Sequence, residues 1–226
     1  MIVWGIVPAR GGSRGIPRKN IIDLGGKPLL AWTAETALAS SLQRVILSTE
    51  DPEIAEVGRA SGLEVPFLRP PELATHDAKS IDLVLHALDT LDGEPDAVML
   101  LQPTTPFRDI RDIEGSIALL ESHPDTDSVI SVAPVGGHHP ARMQFIEDGV
   151  LVNPPFGEAV EGTPRQFLEP LYIRNGAIYL TRTAVIRSAG SFRGATSRAW
   201  VMPPERSVNL DDEIDLIVAR ALAGAR

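Results

Sequence analysis

The residues best suited to chemistry in this 226-residue chain lie near its start, in residues 7–20. This segment combines three glycines with four basic side chains, Arg10, Arg14, Arg18 and Lys19. Because the whole chain carries a formal net charge of -9, such a cluster of cations indicates an anionic ligand. Glycines let backbone N–H groups approach a ligand closely, and amides together with cations favour phosphate. The segment therefore predicts a polyphosphate site.

The glycine spacing excludes two common phosphate motifs. A Walker A loop needs Gly-x4-Gly-Lys-Ser/Thr, and many dinucleotide binders carry Gly-x-Gly-x-x-Gly. Gly25-Gly26-Lys27 comes close to the first, but Pro28 stands where Ser or Thr is needed. The alternative to a binding site is a surface turn with solvated charges. The position of the loop after a first apolar strand favours binding, because ligands of open α/β sheets lie beyond the carboxyl ends of strands.

The composition is that of an ordinary globular protein, with 43% apolar and 23% charged residues. The absence of cysteine excludes disulfides, thiolate metal sites and cysteine nucleophiles. A pI near 5.0 argues against a nucleic-acid partner. No apolar run approaches the roughly 20 residues that span a bilayer, so no membrane partner is expected. The chain opens directly on a strand without a secretory leader, which predicts a cytoplasmic location.

Strand-like and helix-like segments alternate along the first two thirds of the chain. The predicted strands are Ile2–Val7, Val45–Ser48, Glu64–Leu68, Ala97–Leu101 and Ser128–Val132. The predicted helices cover Pro28–Ser40, Pro52 to Ser61 with Asp51 as cap, a segment from Ser80 to Leu88, and Ile110–Ile117. This alternation predicts an α/β fold with a doubly wound, mostly parallel, Rossmann-like sheet and helices on both faces.

The pattern breaks at residues 134–170, which are rich in proline and glycine and contain only short strand candidates near Met143–Ile146 and Val150–Val152. We interpret this segment as an excursion from the sheet, a lid or a dimerisation arm within a single domain of residues 1–226. Strands at Ala177–Leu180 and Ala199–Met202 and a closing helical stripe from Ile214 to Leu222 complete the predicted fold.

Five later segments, taken with the loop Pro8–Asn20, resemble the landmarks of one family in the same order. They are Leu68–Ala74, Leu100–Pro106, His138–Pro140, Asn175–Tyr179 and Ser207–Asp211. The chain thus resembles the CMP-sialic acid synthetases, or acylneuraminate cytidylyltransferases. The resemblance implies a fold of the nucleotide-diphospho-sugar transferase type. It also implies a Mg²⁺-dependent reaction in which the anomeric hydroxyl of a nonulosonic acid attacks the α-phosphate of CTP and pyrophosphate leaves. A homodimer is implied too, with the excursion helping to complete the partner's sugar pocket.

The resemblance assigns roles residue by residue. Catalytic positions are Arg10, Arg14, Lys19 and Asp211. Nucleotide-binding positions are Ala9, Arg10, Gly11, Gly12, Ser13, Lys19, Asn20, Arg69, Ala78 and Ser80, of which Arg69 and Ser80 would recognise the base. Sugar-binding positions are Gln102, Arg165, Asn175, Tyr179 and Phe192, with Arg165 suited to the sugar carboxylate.

The predicted metal site departs from the family pattern, because Asn209-Leu210-Asp211 stands where relatives carry Asp-x-Asp. Residues i and i+2 of an extended chain face the same way, and Mg²⁺ needs only one or two carboxylates beside substrate phosphates. We expect Asp211 to be the main ligand and Asn209 to weaken Mg²⁺ binding. The alternative is that these residues cap the last helix, which is the interpretation favoured for Asp212.

Three rival functions remain open at this point. In the first, the acid is legionaminic, pseudaminic or a deaminated nonulosonic acid instead of N-acylneuraminate. A metal-dependent glycosyltransferase using Asp211-Asp212 would release a nucleoside diphosphate instead of pyrophosphate. A regulatory module would bind CTP without turnover. In addition, Ile173 stands where the family commonly has Arg and Arg174 follows it, which affects the predicted sugar specificity.

Overall fold

The computed structural model describes residues 1–13, 15–157 and 162–225. Arg14, one of the predicted catalytic residues, lies outside the described residues. The strands are β1 (Val3–Pro8), β2 (Asp23–Leu24), β3 (Lys27–Pro28), β4 (Arg44–Ser48), β5 (Ala97–Leu100), β6 (Ser128–Pro134), β7 (Phe145–Glu147), β8 (Val150–Val152), β9 (Tyr172–Arg182) and β10 (Ser197–Val201). The α-helices are α1 (Leu29–Leu38), α2 (Pro52–Ala60), α3 (Ser80–Thr90), α4 (Ile110–Glu121), α5 (Thr183–Ala189) and α6 (Glu213–Gly224).

Six strands form the central sheet in the order β10-β6-β9-β5-β1-β4. All neighbours are parallel except β9, which runs antiparallel to both β5 and β6. The predicted mostly parallel α/β sheet is confirmed. The chain passes from β1 outward to β4 and then returns to β5 on the other side of β1. This reversal opens a crevice at the carboxyl end of β1, where such sheets bind ligands.

Side-chain alternation along β1 divides the core into two layers. Val3 and Val7 pack on one face with α1, α2 and α4, whereas Trp4 and Ile6 pack on the other with α3 and α5. Neighbouring strands follow the same alternation, because successive side chains of a strand point to opposite faces. Both faces are covered, as a parallel sheet requires.

A third, smaller core lies beside the loop that follows β1. It joins Ile16 in that loop to Phe107, to Leu210 and to Leu216 on α6. The last helix is therefore packed against the first loop, although they are nearly 200 residues apart in sequence. This packing brings the Asn209–Asp211 segment to the predicted phosphate site.

Helix ends follow the sequence signals in most places. The carboxylate of Asp51 caps α2 by accepting from the N–H groups of Glu53 and Ile54, and Asp212 caps α6 in a capping box with Asp215. Helix α3 begins at Ser80, as predicted, but Lys79 occupies its cap position and makes no side-chain hydrogen bond there.

The predicted strand Glu64–Leu68 is also wrong. It is reduced to one isolated bridge between Ile46 and Glu64. Pro66 interrupts this segment, and since proline lacks an N–H group it cannot continue a ladder of hydrogen bonds.

The segment between β6 and β9 builds a small sheet of its own. Strands β7 and β8 pair only with each other, through a turn at Asp148-Gly149 in which both residues have positive φ. Every residue of β7 is exposed. In the described part of the chain no helix is both long enough and apolar enough to cross a membrane.

Candidate active site

A cleft of about 540 Å³ lies at the carboxyl ends of β1 and β5. Its walls come from the loop after β1, from residues 69–83, from the end of β5 and from the segment before α6. Ten of the predicted site residues line it: Arg10, Ser13, Lys19, Asn20, Arg69, Ala78, Ser80, Gln102, Asn209 and Asp211. The structure thus brings together residues that are widely separated in the sequence. Two of the three described cations of the loop, Arg10 and Lys19, line this one cavity.

Backbone amides contribute less to the phosphate loop than its glycines suggest. The N–H groups of Ala9, Gly11 and Ser13 donate to Ser48 O, Glu50 Oε1 and Gly11 O, at 3.0, 2.7 and 3.1 Å. The N–H of Ala78 likewise donates to Thr75 O at 3.3 Å. Because these N–H groups already donate within the protein, the cationic side chains of the cleft are better placed to meet an anion than the backbone is.

Gly11 has a steric reason to be glycine. A Cβ atom at this position would collide with the Asp51 carboxylate, whereas Gly12 has open space around it. Ala9 is fully buried behind the loop. Close packing of the loop against the end of β4 therefore explains Gly11 better than close approach to a ligand does.

Arg18 and Lys19 point to different partners. Arg18 adopts a left-handed backbone conformation and pairs with Asp51 and Glu53. The hydrogen bond from Arg18 holds the pKa of Asp51 below its ordinary value. Lys19 instead donates to Leu210 O at 2.6 Å and lies 3.3 Å from Asp211 Oδ1 in the cleft.

Asn20 completes the loop from within. Its side chain is 5% exposed, and Nδ2 donates to the carbonyl of Arg10 at 2.9 Å. Arg10 in turn reaches Thr75 O on the opposite wall at 3.0 Å. The cationic side of the cleft is therefore fixed by long-range hydrogen bonds before any ligand is present.

Arg69 is the most deeply buried cation that lines the cleft, with a relative exposure of 3%. Its backbone N–H donates to Thr49 O and its Nη2 donates to Glu50 Oε2, both at 2.8 Å. Its Nε is buried without a hydrogen-bond partner. A buried donor without a partner costs free energy, and Arg69 lines the cleft, so a ligand in the cleft is one group that could satisfy it.

Sequence reasoning missed Glu50. The sequence analysis considered only Asp51 and Pro52, as the start of α2, although Glu50 lies two residues beyond the end of β4, at the edge where the predicted site lies. Its two carboxylate oxygens accept from Gly11 and from Arg69. Position at a strand's carboxyl end was the signal that could have identified it.

Gln102 lies two residues beyond the end of β5 and lines the cleft. Gly176 lies directly behind it, and a Cβ on this glycine, whose φ is +78°, would approach Gln102 Oε1 to 2.6 Å. The carbonyl of Gln102 accepts from Arg108, a fully buried guanidinium that also donates to Ala177 O at 3.0 Å and to Thr33 Oγ1 at 2.6 Å. Burial lowers the pKa of Arg108 to about 9.

The other four predicted sugar residues do not line this cleft. Asn175 is buried, accepting from Ser131 Oγ at 2.6 Å and donating to Ser207 Oγ at 2.9 Å. Tyr179 and Phe192 pack on each other at 5.7 Å beside the α3 layer of the core. Arg165 lines a separate cavity of about 260 Å³ within residues 134–172. Within one chain, Gln102 alone of these five residues therefore faces the nucleotide side of the cleft.

The side chains of Asn209 and Asp211 meet at the mouth of the cleft. Asn209 Nδ2 donates to Asp211 Oδ2, and Asn209 Oδ1 lies 3.5 Å from Thr105 Oγ1. No group of three or more His, Cys, Asp or Glu side chains in the described residues is arranged to hold a metal ion. The pair fits a hard divalent cation that takes one carboxylate and completes its shell with phosphate oxygens and water. The amide of Asn209 must turn before its oxygen can contribute.

A family model described as cytidylyltransferase matches residues 4–146, which is more than half of the chain. The chain belongs to the cytidylyltransferase family. It is 33% identical over 228 residues to "CMP-N,N'-diacetyllegionaminic acid synthase" of Legionella pneumophila, covering 98% of this chain and 96% of that protein. It is also 32% identical over 215 residues to "N-acylneuraminate cytidylyltransferase" of Streptococcus agalactiae serotype V, covering 94% of this chain. The chain spans 51% of the length of that streptococcal relative.

Two solved structures share the fold at low sequence identity. A CMP:2-keto-3-deoxy-manno-octonic acid synthetase complexed with CTP superposes with a TM-score of 0.76 at 17% identity, covering 100% of this chain and 99% of that one. A 4-diphosphocytidyl-2C-methyl-D-erythritol synthase from Anaerococcus prevotii gives 0.66 at 14%, covering 97% of each chain. These likenesses confirm the predicted nucleotide-sugar transferase fold.

The family match divides the predicted site. Residues 4–146 include the loop after β1, Arg69 and Gln102, which line one cleft. Arg165, Asn175 and Asp211 lie beyond the matched segment.

Proposed function

We propose that the chain transfers the cytidylyl group of CTP to the anomeric hydroxyl of a nonulosonic acid, with N-acylneuraminate as the first candidate acid. The observation that carries this proposal is that three cations line one cleft. Arg69 is deeply buried and its Nε has no hydrogen-bond partner, while Arg10 and Lys19 belong to the loop after β1. Arg69 would offer a directional donor to a base, and Arg10 and Lys19 would offer charge to phosphates. The family membership and the CTP named for the structural neighbour support cytosine as that base.

In this reaction the anomeric oxygen forms a bond to the α-phosphorus, and the bond from that phosphorus to the bridging oxygen breaks. Pyrophosphate leaves with the electron pair, and the hydroxyl proton passes to a phosphate oxygen. Such transfers are accelerated chiefly by positioning and by neutralising charge. Arg10 and Lys19 supply charge to the triphosphate, and Gln102 orients the sugar from the end of β5.

A divalent cation, taken here as Mg²⁺, is part of the proposal. Asp211 would hold it, and Asn209 would contribute only after its amide turns. When bound there, Mg²⁺ would offset negative charge on the phosphate oxygens. Lys19 lies 3.3 Å from Asp211 Oδ1, so this lysine would release the carboxylate to the cation and turn to the triphosphate.

A homodimer is also proposed. Large apolar side chains are exposed on and around the small sheet between β6 and β9: Phe145, Ile146, Val150, Leu151, Phe167 and Ile173. Contiguous exposed apolar surface of this kind marks an interaction site. We expect it to pack on a second subunit and to carry Arg165 towards the partner's sugar pocket. The cytoplasmic location stays a prediction of the sequence.

N,N'-diacetyllegionaminic acid is the second candidate acid, because the Legionella relative is matched over nearly its whole length. The deciding experiment incubates the protein with Mg²⁺, each of the four nucleoside triphosphates and a panel of nonulosonic acids, and measures pyrophosphate and CMP-sugar. We expect release of pyrophosphate only with CTP, and with one acid preferred. Absence of release with every pair would contradict the proposed function.

A further inference from the structure

We propose that Glu50 is a positioning residue that couples recognition of the base to binding of the triphosphate. This inference rests on the proposed function, since it assigns Arg69 to the base and the loop after β1 to the phosphates. Glu50 stands between these two groups at the end of β4. Its carboxylate holds both of them through a single rigid side chain.

The two contacts require a carboxylate. Oε1 accepts the backbone N–H of Gly11 at 2.7 Å, and Oε2 accepts from Arg69 Nη2 at 2.8 Å. Both partners can only donate hydrogen bonds. An amide has one acceptor oxygen, so glutamine at this position can satisfy only one partner and must direct its NH₂ group towards the other.

Burial makes the pairing energetically significant. The side chain of Arg69 is 2% exposed and that of Glu50 is 20% exposed, so water screens the guanidinium very little. The charge of Arg69 is therefore balanced mainly by Glu50. Because Thr49 O also accepts from the Arg69 backbone, the end of β4 fixes both the backbone and the side chain of this arginine. The unpartnered Nε is left with a defined direction.

The same carboxylate fixes the phosphate loop. Gly11 follows Arg10, whose carbonyl is held by Asn20, so the position of Gly11 also constrains the neighbouring cation. A displacement of the Glu50 carboxylate would shift Gly11 and Arg69 together. The separation between base contact and phosphate contact is therefore set by one side chain, so an error in that separation weakens the binding of both ends of the nucleotide.

The first test is Glu50→Gln, with Glu64→Gln as the matched control. Glu64 also accepts from an arginine, Arg44, and its substitution changes the charge equally, but Arg44 is the first residue of β4, away from the cleft, and the Glu64 side chain is 43% exposed. Calorimetry with cytidine and with inorganic tripolyphosphate reports separately on the two halves of the nucleotide. We expect Glu50→Gln to weaken binding of both fragments and to raise KM for CTP about tenfold, equivalent to about 1.4 kcal/mol, while kcat changes less than about threefold.

Glu64→Gln should match the wild type in all of these measurements. If Glu50→Gln weakens only one fragment, or neither, the coupling is overturned. Failure of the wild-type protein to bind CTP would instead count against the proposed function.

A second measurement uses the wild-type protein, so it does not require the variant to fold. The Gly11 amide of the wild-type protein without nucleotide should exchange its hydrogen at least about tenfold more slowly than an unstructured glycine, because Glu50 accepts its hydrogen bond. Exchange at the unstructured rate would overturn the proposal. Slow exchange, assigned by NMR, supports it even if Glu50→Gln does not fold.

Discussion

The loop that follows β1 and the segment between β6 and β9 lie at the same edge of the sheet, but the chain holds them differently. The loop is fixed by Glu50, Asp51 and the segment before α6. The other segment folds into two three-residue strands that pair only with each other and leave their apolar side chains exposed. The comparison shows that the loop is held by contacts within one chain, whereas the segment between β6 and β9 leaves large apolar side chains exposed.

The largest effect is expected from breaking the preorganised side. Lys19→Met removes the cation that lies between Asp211 and the predicted triphosphate while keeping much of the side-chain volume. We expect kcat/KM for CTP to fall by about 10²- to 10³-fold, as when a preorganised charge-stabilising donor is removed from an active site. Steady-state kinetics measures this loss.

Lys27→Met is the matched control, since Lys27 lies over Trp32 and pairs with Glu35 away from the cleft. It should leave kcat/KM within about twofold of wild type, as expected for an exposed ion pair. A loss of less than threefold in Lys19→Met would exclude Lys19 from the proposed catalytic role.

The next largest effect should distinguish the loop after β1 from the small sheet between β6 and β9. Leu151 on β8 is 67% exposed in the isolated chain. Leu151→Asp therefore puts a charge on the exposed apolar surface of this strand. We expect the dissociation constant of the dimer to rise about 100-fold, because an unpaired charge would be buried at the interface. CTP affinity should remain within about twofold, since no contact of the phosphate loop changes. Analytical ultracentrifugation and calorimetry measure the two quantities.

Ile217→Asp serves as control, because Ile217 is similarly exposed but lies on α6. It should leave the sedimentation profile unchanged. If wild type sediments as a monomer, or if Leu151→Asp weakens CTP binding as strongly as association, the proposed division between the two regions is contradicted.

A smaller effect is expected at the metal pair. Asn209→Asp should lower the Mg²⁺ concentration needed for half-maximal binding by about tenfold, because a second carboxylate strengthens a hard-cation site. Titration of Mg²⁺ into protein with CTP, followed by calorimetry, measures the shift. An unchanged Mg²⁺ requirement would refute the idea that Asn209 weakens this site.

The smallest effect is expected at Asp109, which lies outside both regions. Hydrogen bonds from Arg111 lower the pKa of Asp109, the cap of α4, to about 2 from an ordinary value of 3.8. A carboxyl with a lowered folded-state pKa stabilises the protein above its ordinary value and loses that stabilisation as the pH falls towards 2. Asp109→Asn should therefore flatten the fall of Tm between pH 4 and 2. A steep fall that persists in this variant would assign the acid sensitivity to other groups.

The sequence predicted features that depend on neighbouring residues. The apolar run ending at Pro8 predicted β1, and Asp51-Pro52 predicted the start of α2. The predicted strand at Ala177–Leu180 lies inside a longer strand, Tyr172–Arg182, whose ends depend on pairing with β6. Such pairing is set by tertiary structure and is not visible in local propensity.

The candidate site was predictable where residue type alone suggests a ligand, as for Arg10 and Lys19. It was less predictable where partners lie far apart in sequence. Glu50 is 39 residues from Gly11 and 19 from Arg69, and an acidic side chain beside a predicted triphosphate site is not an obvious candidate. The hydrogen bonds that satisfy the N–H groups of Ala9 and Gly11 could not be predicted for the same reason, because their acceptors lie near residue 50.

The contact between Lys19 and the carbonyl of Leu210 spans 191 residues, and it has a consequence for synthesis on the ribosome. Strands β1, β4 and β5 can associate once about 100 residues have emerged, because their pairing needs nothing later in the chain. The mouth of the cleft cannot form until residues up to 211 have also emerged. A nascent chain can therefore assemble the strands that carry the first loop early, whereas the contacts between that loop and the segment before α6 form much later.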